Sequence, residues 1–600
     1  MSISNRAIAE ILYEIASYLE MQDVPFKPRA YEKVAGVIEG LEEEVSEIYK
    51  KGGLKALENI PGVGVSIAEK IEELIKTGHL KYYEGLKKKT PVNLAELRGI
   101  EGLGPKSIKK LYQKLKIRNL ADLEKATLAG KIGKLEGFGK KSEENILKGI
   151  GFVKKSGGRF VLGFIMPEIR AIESRLRELS GVDKLIVAGS VRRRKETVGD
   201  ADILATAKGG SVNKIMDYFV KMPEVVRVYA RGATKSAIKI RSGLDIDLRV
   251  VPLESYGAAL NYFTGSKSHN VTLRQIAMKK GLKLNEYGLF KIADSRRLNA
   301  GQRRNSQRQS ASSERRSVLM IAGKTEEEIY KALGLDYVEP EMRENTGEIE
   351  AAKNHKLPKL LGYNDLEGDL QVQTNWTDGS DSIEGMAEAA IKQELKYVAI
   401  TDHTKRLAMT RGLDEHRILK QMAEVDRLNK KFSGKIKILK GSECDILKDG
   451  SLDLSDKVLS KLDVVGASVH SYFNLSRVDQ TKRIKRAMEN PHVDIIFHPT
   501  GRIINRREAY EVDMEELISA AKKTETIMEI DAYPDRLDLK DEYIRKCVEA
   551  GVKMSVDSDA HSPTHFPYLE YGIAQARRGW AERGDIVNAW PLDKMLKMLK

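Results

Sequence analysis

KLIVAGSVRRRKETVGDADILAT, residues 184–206, decides how the first half of this chain folds. It reads as an apolar strand, a Gly189-Ser190 turn, a basic loop and a second strand opening with Asp200 and Asp202. Residues i and i+2 of a strand share a face, so the two carboxylates point the same way. RSGLDIDLRVVP, 241–252, adds another strand and a third acid, Asp247. Three carboxylates on adjacent strands suit two-metal phosphoryl transfer, in which one ion serves the attacking oxygen and the other the leaving oxygen. A lone D-x-D is more often a solvated turn. Here the Gly-Ser turn upstream also presents backbone N–H groups to a triphosphate, and the combination points to nucleotidyl transfer.

Upstream, residues 1–150 read as short helices joined by glycine turns, with one pattern in three copies: IPGVGVSIAEKI at 60–71, IEGLGPKSIKKL at 100–111 and LEGFGKKSEENI at 135–146. Each copy is an apolar residue, a G-x-G turn, a polar helix start and an apolar face. The pairs Gly62 and Gly64, Gly102 and Gly104, and Gly137 and Gly139 allow tight hairpins whose N–H groups face a phosphate. The three copies resemble helix-hairpin-helix motifs, which hold the DNA backbone without reading sequence.

Composition supports a nucleic-acid partner. The chain has 600 residues and a formal net charge of +15. At roughly 100–200 residues per domain, that length implies about three to five domains, and the positive charge favours a polyanion. No apolar run reaches the roughly 18 residues that span a bilayer, and the amphipathic N-terminus MSISNRAIAEILYEIASYLEM is no signal peptide. A cytoplasmic protein without a membrane partner is expected. With only Cys444 and Cys547, a disulfide scaffold or zinc ribbon is excluded, so metal ligands must be histidines and carboxylates.

GSVRRRKETVGDAD, LDIDLRVVP and NYFTGSKSHNVTLR, 261–274, together resemble the family X DNA polymerases, with their DNA polymerase beta-like core. The resemblance implies that Asp200, Asp202 and Asp247 are catalytic and carry two Mg2+ (or Mn2+) ions. Gly189, Ser190 and Arg193 would bind the triphosphate. Tyr262 and Phe263 would lie at the sugar and gate against ribose, Gly265 would belong to the nucleotide site, and Asn270 would contact the incoming base and Arg274 the template side. Arg194 stands where the family usually has glycine. IAEKI, 67–71, matches the stretch holding the family's deoxyribose-phosphate lyase lysine, here Lys70, with Lys27 and Tyr31 in support. Residues 294–317, rich in arginine and nearly devoid of apolar residues, interrupt the pattern as a flexible basic insertion.

In the second half, apolar runs end in polar residues: YVAITDH (397–403), IKILKGSECDI (436–446), DVVGASVHS (463–471), VDIIFHPTG (493–501), TIMEIDAYP (526–534) and VKMSVDSDAH (552–561). Helical patterns alternate with them, which reads as a βα barrel with its chemistry at the C-terminal strand ends. The set resembles the PHP domain, a phosphoesterase fold commonly holding a trinuclear metal cluster. The ligands carried over are Asp378, His403, Glu443, His470, His498, Asp559 and His561. LQVQTNWTDG, 370–379, would be the first strand end, but Gln371 and Gln373 stand where the family pattern has H-x-H. Glutamine is a weak ligand for Mn2+ or Zn2+ beside imidazole, so at least one ion position should be weak or empty and the 3'–5' exonuclease impaired. DAYP, 531–534, also differs from the Asn-containing segment that the resemblance implies.

The expected fold is multidomain α+β and α/β. It comprises a helical DNA-binding domain (1–90), a fingers-like helix-hairpin-helix domain (91–150), a nucleotidyltransferase palm (151–255) and a thumb (256–337). A linker (338–366) then leads to a distorted (β/α)7 PHP barrel (367–600). The expected function is gap-filling DNA synthesis in repair by a monomer, on gapped or primed duplex with dNTPs. The alternatives are a metal-dependent nuclease or phosphoesterase to which the N-terminal half delivers DNA, and a DNA-end-binding scaffold.

Overall fold

β-Branched and apolar residues at alternate positions, bounded by glycine and polar turns, set the strands of the first α/β region. In the computed structural model, which describes residues 5–39, 41, 44–98, 100, 103–155, 158–292, 318–407 and 410–600, the chain forms two compact units. One comprises Met1–Gly163 and Leu360–Lys600, the other Phe164–Lys359.

The second unit is built on a five-stranded sheet of β1 (Val182–Val187), β2 (Asp200–Ala207), β3 (Val225–Arg231), β4 (Lys235–Ile240) and β5 (Asp245–Val250), in the order β1-β2-β5-β4-β3. β2 and β5 run parallel and in register, with Asp200 opposite Asp245 and Asp202 opposite Asp247. Beyond the sheet lies a small antiparallel sheet of β6 (Leu282–Asn285), β7 (Gly288–Ile292) and β8 (Val318–Ala322). Ile292 pairs with Val318, so the basic insertion 294–317, which lies outside the described residues, joins two hydrogen-bonded strands.

The segment expected as a linker, 338–366, is not an open tether. Val338, Met342, Arg343 and Glu348 are buried, a helix spans Glu348–Lys353, and Leu361 sits in the barrel core. The polar, proline-containing stretch KNHKLPKLLGYNDLEGD, 353–369, suggested the linker. Instead, buried Arg343 pairs with Glu326 at 2.5 Å, and buried Glu348 with His269 at 2.6 Å. A buried charge persists only when so paired.

In the first unit, residues 8–150 contribute to one apolar core. The three glycine repeats fold alike: Val63 N–H donates to the Ile60 carbonyl, Leu103 to Ile100 and Phe138 to Leu135, at 2.9–3.1 Å. Gly62 and Gly137 have φ of 82°, in the left-handed region that favours glycine. Gly64 and Gly104 cap the helices Val65–Thr77 and Pro105–Leu115, and Gly139 immediately precedes the helix Lys140–Lys155. Gly102 lies outside the described residues.

Residues 360–600 form a seven-stranded parallel sheet, β9 (Gly368–Val372), β10 (Tyr397–Ile400), β11 (Lys437–Asp445), β12 (Val464–Ser468), β13 (Ile495–Ile496), β14 (Ile527–Asp531) and β15 (Met554–Asp557), in sequence order. A bridge from Val372 to Ala560 brings the first strand against the chain leaving the last, giving the distorted (β/α)7 barrel. One apolar cluster, including Ile438, Val465 and Met528, joins strands to helices; a second, including Tyr397, Phe497 and Trp590, packs separately. A Cβ at Gly466 would lie 1.8 Å from the Phe497 ring, so only glycine admits that ring. Gly466→Ala is expected to cost about 1–3 kcal/mol of stability through overpacking. Thermal unfolding checks this, and an unchanged transition would contradict the packing described.

Candidate active sites

The parallel register of β2 and β5 brings the predicted acids together. Asp200 and Asp202 leave β2 on one side, and Asp247 lies on the neighbouring strand opposite Asp202. Burial raises the Asp202 carboxyl to about 6, and the negative charges of Asp200 and Asp247 add to the effect. Lys235 on β4 offsets part of that charge with a 2.6 Å ion pair to Asp247. A carboxylate cluster so short of compensating charge is suited to divalent cations.

Gly189 has φ of 63°, and a Cβ there would stand 2.7 Å from an Asp202 oxygen, so both its conformation and the close approach require glycine. Ser190 follows in the short helix Gly189–Arg192. Arg194, at the position where the resemblance implies glycine, also adopts positive φ, 52°, a conformation that favours glycine. Arg193 ion-pairs with Glu344 at 3.0 Å and donates to the Thr264 carbonyl. Gly265, with φ of 72°, lies against the same guanidinium. Tyr262 and Phe263 pack edge to face, and Arg249 covers the Phe263 ring at 4.4 Å. Asn270 donates to the Tyr262 carbonyl at 2.7 Å while its buried side-chain oxygen lacks a partner among the described residues, and Arg274 donates to the Asn270 carbonyl at 3.2 Å. The predicted nucleotide residues therefore form two groups, one around Arg193 and one around Tyr262 and Asn270.

In the helical region, Lys70 donates to the Ser66 carbonyl and hydroxyl, both at 2.8 Å, and lies 5.0 Å over the Tyr82 ring. Partial burial lowers its ammonium below the ordinary lysine value, and the charge of Lys27 acts in the same direction. Tyr31 is buried, its hydroxyl pushed up to about 12.

The barrel assembles the second cluster. His403, His470, His498, Asp559 and His561 follow strand ends, Glu443 lies within β11, and Asp378 comes from the turn after β9. Glu443 is the hub: His403 Nδ1 stands 3.2 Å away, His470 Nε2 3.1 Å and His498 Nε2 2.8 Å. Asp378 faces His403 at 3.6 Å and His561 at 3.7 Å, and His561 faces Asp559 at 3.8 Å. Burial would raise the Glu443 carboxyl, but His403 and His470 hold it well below the usual range. Burial would lower His470, but Glu443 and Asp445 outweigh that and raise it to about 9. Imidazole and carboxylate atoms converge as two overlapping trios, Asp378-His403-His561 and His403-Glu443-His470, which fit divalent ions.

Gln373 enters the same cluster as a donor: its amide nitrogen reaches Glu443 at 2.9 Å and Asp559 at 3.3 Å. Gln371 is fully buried, and neither of its side-chain polar atoms has a hydrogen-bond partner among the described residues.

Comparison with known proteins accords with both halves. A helix-hairpin-helix domain family matches residues 3–80, the DNA polymerase beta thumb 259–344 and the PHP domain 369–532. The chain is 37% identical to the DNA polymerase/3'-5' exonuclease PolX of Bacillus subtilis (strain 168) over 597 residues, 99% of each chain. It belongs to the family X DNA polymerases. The chain is also 35% identical over 185 residues to a probable phosphatase of Thermoanaerobacter sp. (strain X514), covering 29% of this chain and 70% of that protein. A probable phosphatase of Caldanaerobacter subterraneus is 32% identical over the same length, covering 29% and 68%.

Within this family X chain, sequence reasoning missed four side chains that shape the clusters. Lys235 and Glu344 pair with Asp247 and Arg193 from distant segments, and nothing in their local sequence marks them. Asp531 carried a signal, because DAYP departs from the expected Asn-containing pattern, whereas Arg536 lies beyond that motif and carried none. Arg536 lies 3.5 Å from both Asp531 and Asp559.

Asp202 supplies a pH test. Its raised carboxyl leaves the native protein holding a proton that the unfolded chain releases, so the ionised native state is penalised above about pH 6 and the penalty vanishes below about pH 4. Without divalent cations, Asp202→Asn is expected to be more stable than the unaltered chain at pH 8 by about 1–3 kcal/mol, converging with it at acid pH. Denaturant unfolding across pH checks this; equal stability at pH 8 would contradict the crowded-carboxylate geometry.

Proposed function

We propose that this protein is a DNA-directed DNA polymerase that fills gaps, transferring a deoxynucleotide to a primer 3'-hydroxyl. The observation that carries the reading is the in-register pairing of Asp202 with Asp247, beside Asp200 and the close turn at Gly189. Mg2+ or Mn2+ held by these three acids would supply positive charge to the attacking and leaving oxygens. The chain's own residues position the reactants. Ser190 and the backbone of the Gly189 turn face the triphosphate, Arg193 neutralises it, and Tyr262 and Phe263 lie at the sugar edge and select against ribose. Asn270 meets the incoming base, its unpartnered oxygen accounting for a further contact, and Arg274 faces the template. The glycine repeats hold gapped or primed duplex through its backbone, independently of sequence. The enzyme acts as a monomer.

The relative from Bacillus subtilis is named for 3'-5' exonuclease as well as polymerase activity. For this chain we assign the barrel an impaired exonuclease. Asp378, His403, Glu443, His470, His498, Asp559 and His561 would hold Mn2+ or Zn2+, a reading supported by the two trios that five of them form, but Gln371 and Gln373 contribute no imidazole. The likeness to probable phosphatases favours a second reading, in which the barrel retains phosphoesterase chemistry of its own. Lys70, with its lowered ammonium, is assigned as the Schiff-base nucleophile of a deoxyribose-phosphate lyase.

Asp247→Ala is expected to abolish primer extension by at least about a thousandfold, on the scale of losing electrostatic stabilisation of a phosphoryl-transfer transition state, without altering the circular dichroism spectrum. Retained extension would remove the assignment. Borohydride reduction on DNA with an abasic 5'-deoxyribose phosphate should cross-link the unaltered chain and not Lys70→Ala; trapping that survives the substitution would place the lyase nucleophile elsewhere.

A further inference from the structure

The corner of the barrel at Gln373 is closed by an internal cation. The chain leaving β14 turns back on itself, Asp531 N–H donating to the Asp538 carbonyl, and this return delivers Arg536 to the cluster. Its guanidinium lies 3.5 Å from Asp531 Oδ2 and 3.5 Å from Asp559 Oδ2, with the side chain 22% exposed. From the other side, the Gln373 amide donates to Asp559 and Glu443. A carboxylate oxygen that accepts from an amide or faces a guanidinium has that direction filled. Arginine stays charged at every relevant pH, so the occupant is permanent. The imidazoles of His403, His470 and His561 gather in the two trios, which meet this corner at Glu443 and Asp559.

We propose that the barrel holds no more than two divalent ions, among Asp378, His403, His561, Glu443 and His470, and that Arg536 with Gln373 closes the corner at Asp559 to a further ion. This rests on reading the barrel as a divalent-metal centre. It goes further in naming which corner is closed and by what. Asp531 then has a role: its carboxylate adds a negative charge that anchors Arg536.

Crystals of the full chain equilibrated with Mn2+ should show one or two anomalous peaks at these trios and none within coordinating distance of Gln373. Elemental analysis after removal of free Mn2+ should give one additional equivalent in Arg536→Met. Arg506→Met, which removes only the outer pair with Asp535, should match the unaltered chain. A peak beside Gln373 in the unaltered chain would overturn the inference while leaving the metal-centre reading intact. A folded Arg536→Met with no additional equivalent would also overturn it. Should that variant not fold, the anomalous map of the unaltered chain decides alone. Absence of any Mn2+ peak in the barrel would overturn the metal-centre reading itself, and this inference with it.

Discussion

Parallel pairing of β2 with β5 sets Asp202 directly opposite Asp247, and this crowding of like charge is what the nucleotidyl-transfer half is built around. Two carboxylates on neighbouring strands repel each other, and burial of Asp202 makes its ionised form dearer still. The fold resists the repulsion because the sheet is pinned elsewhere, by apolar packing behind it and by the Gly189 turn, where nothing larger than hydrogen fits. Positive charge is what such a cluster lacks. Lys235 provides part of it, and two divalent cations would provide the rest.

The barrel meets the same constraint with different means. Glu443 is surrounded by three imidazoles and the Gln373 amide, and Asp559 lies between the Gln373 amide, His561 and Arg536. Buried carboxylates require partners whether or not an ion is bound. In this chain some of those partners are covalent parts of the protein. A cluster can thus keep seven ligand-type residues and still hold fewer ions than they suggest, because directions once available to a metal have been taken by fixed donors.

Much of this was legible in the sequence, where local rules decide the outcome. The strand carrying Asp200 and Asp202, the glycine hairpins and the strand-end histidines all follow from short-range patterns, and the structure has strands, hairpin turns and barrel strand ends at these places. The parallel register that aligns Asp202 with Asp247 was not legible, because it depends on sheet order. The linker expected over 338–366 rested on the polar, proline-containing residues 353–369; the buried pairs Arg343-Glu326 and His269-Glu348 upstream join segments distant in sequence, which no local pattern marks. Arg536 was missed for a related reason: a charge in a loop acquires meaning only when the return of the chain places it beside Asp559.

The most direct measurement follows a 5'-labelled primer on a gapped template with Mg2+ or Mn2+, in the presence and absence of dNTPs. The account predicts extension with nucleotides and little or no shortening without them. Vigorous shortening without nucleotides that disappears in His403→Ala would contradict it, showing that the barrel assembles a fully working nuclease despite Gln371 and Gln373.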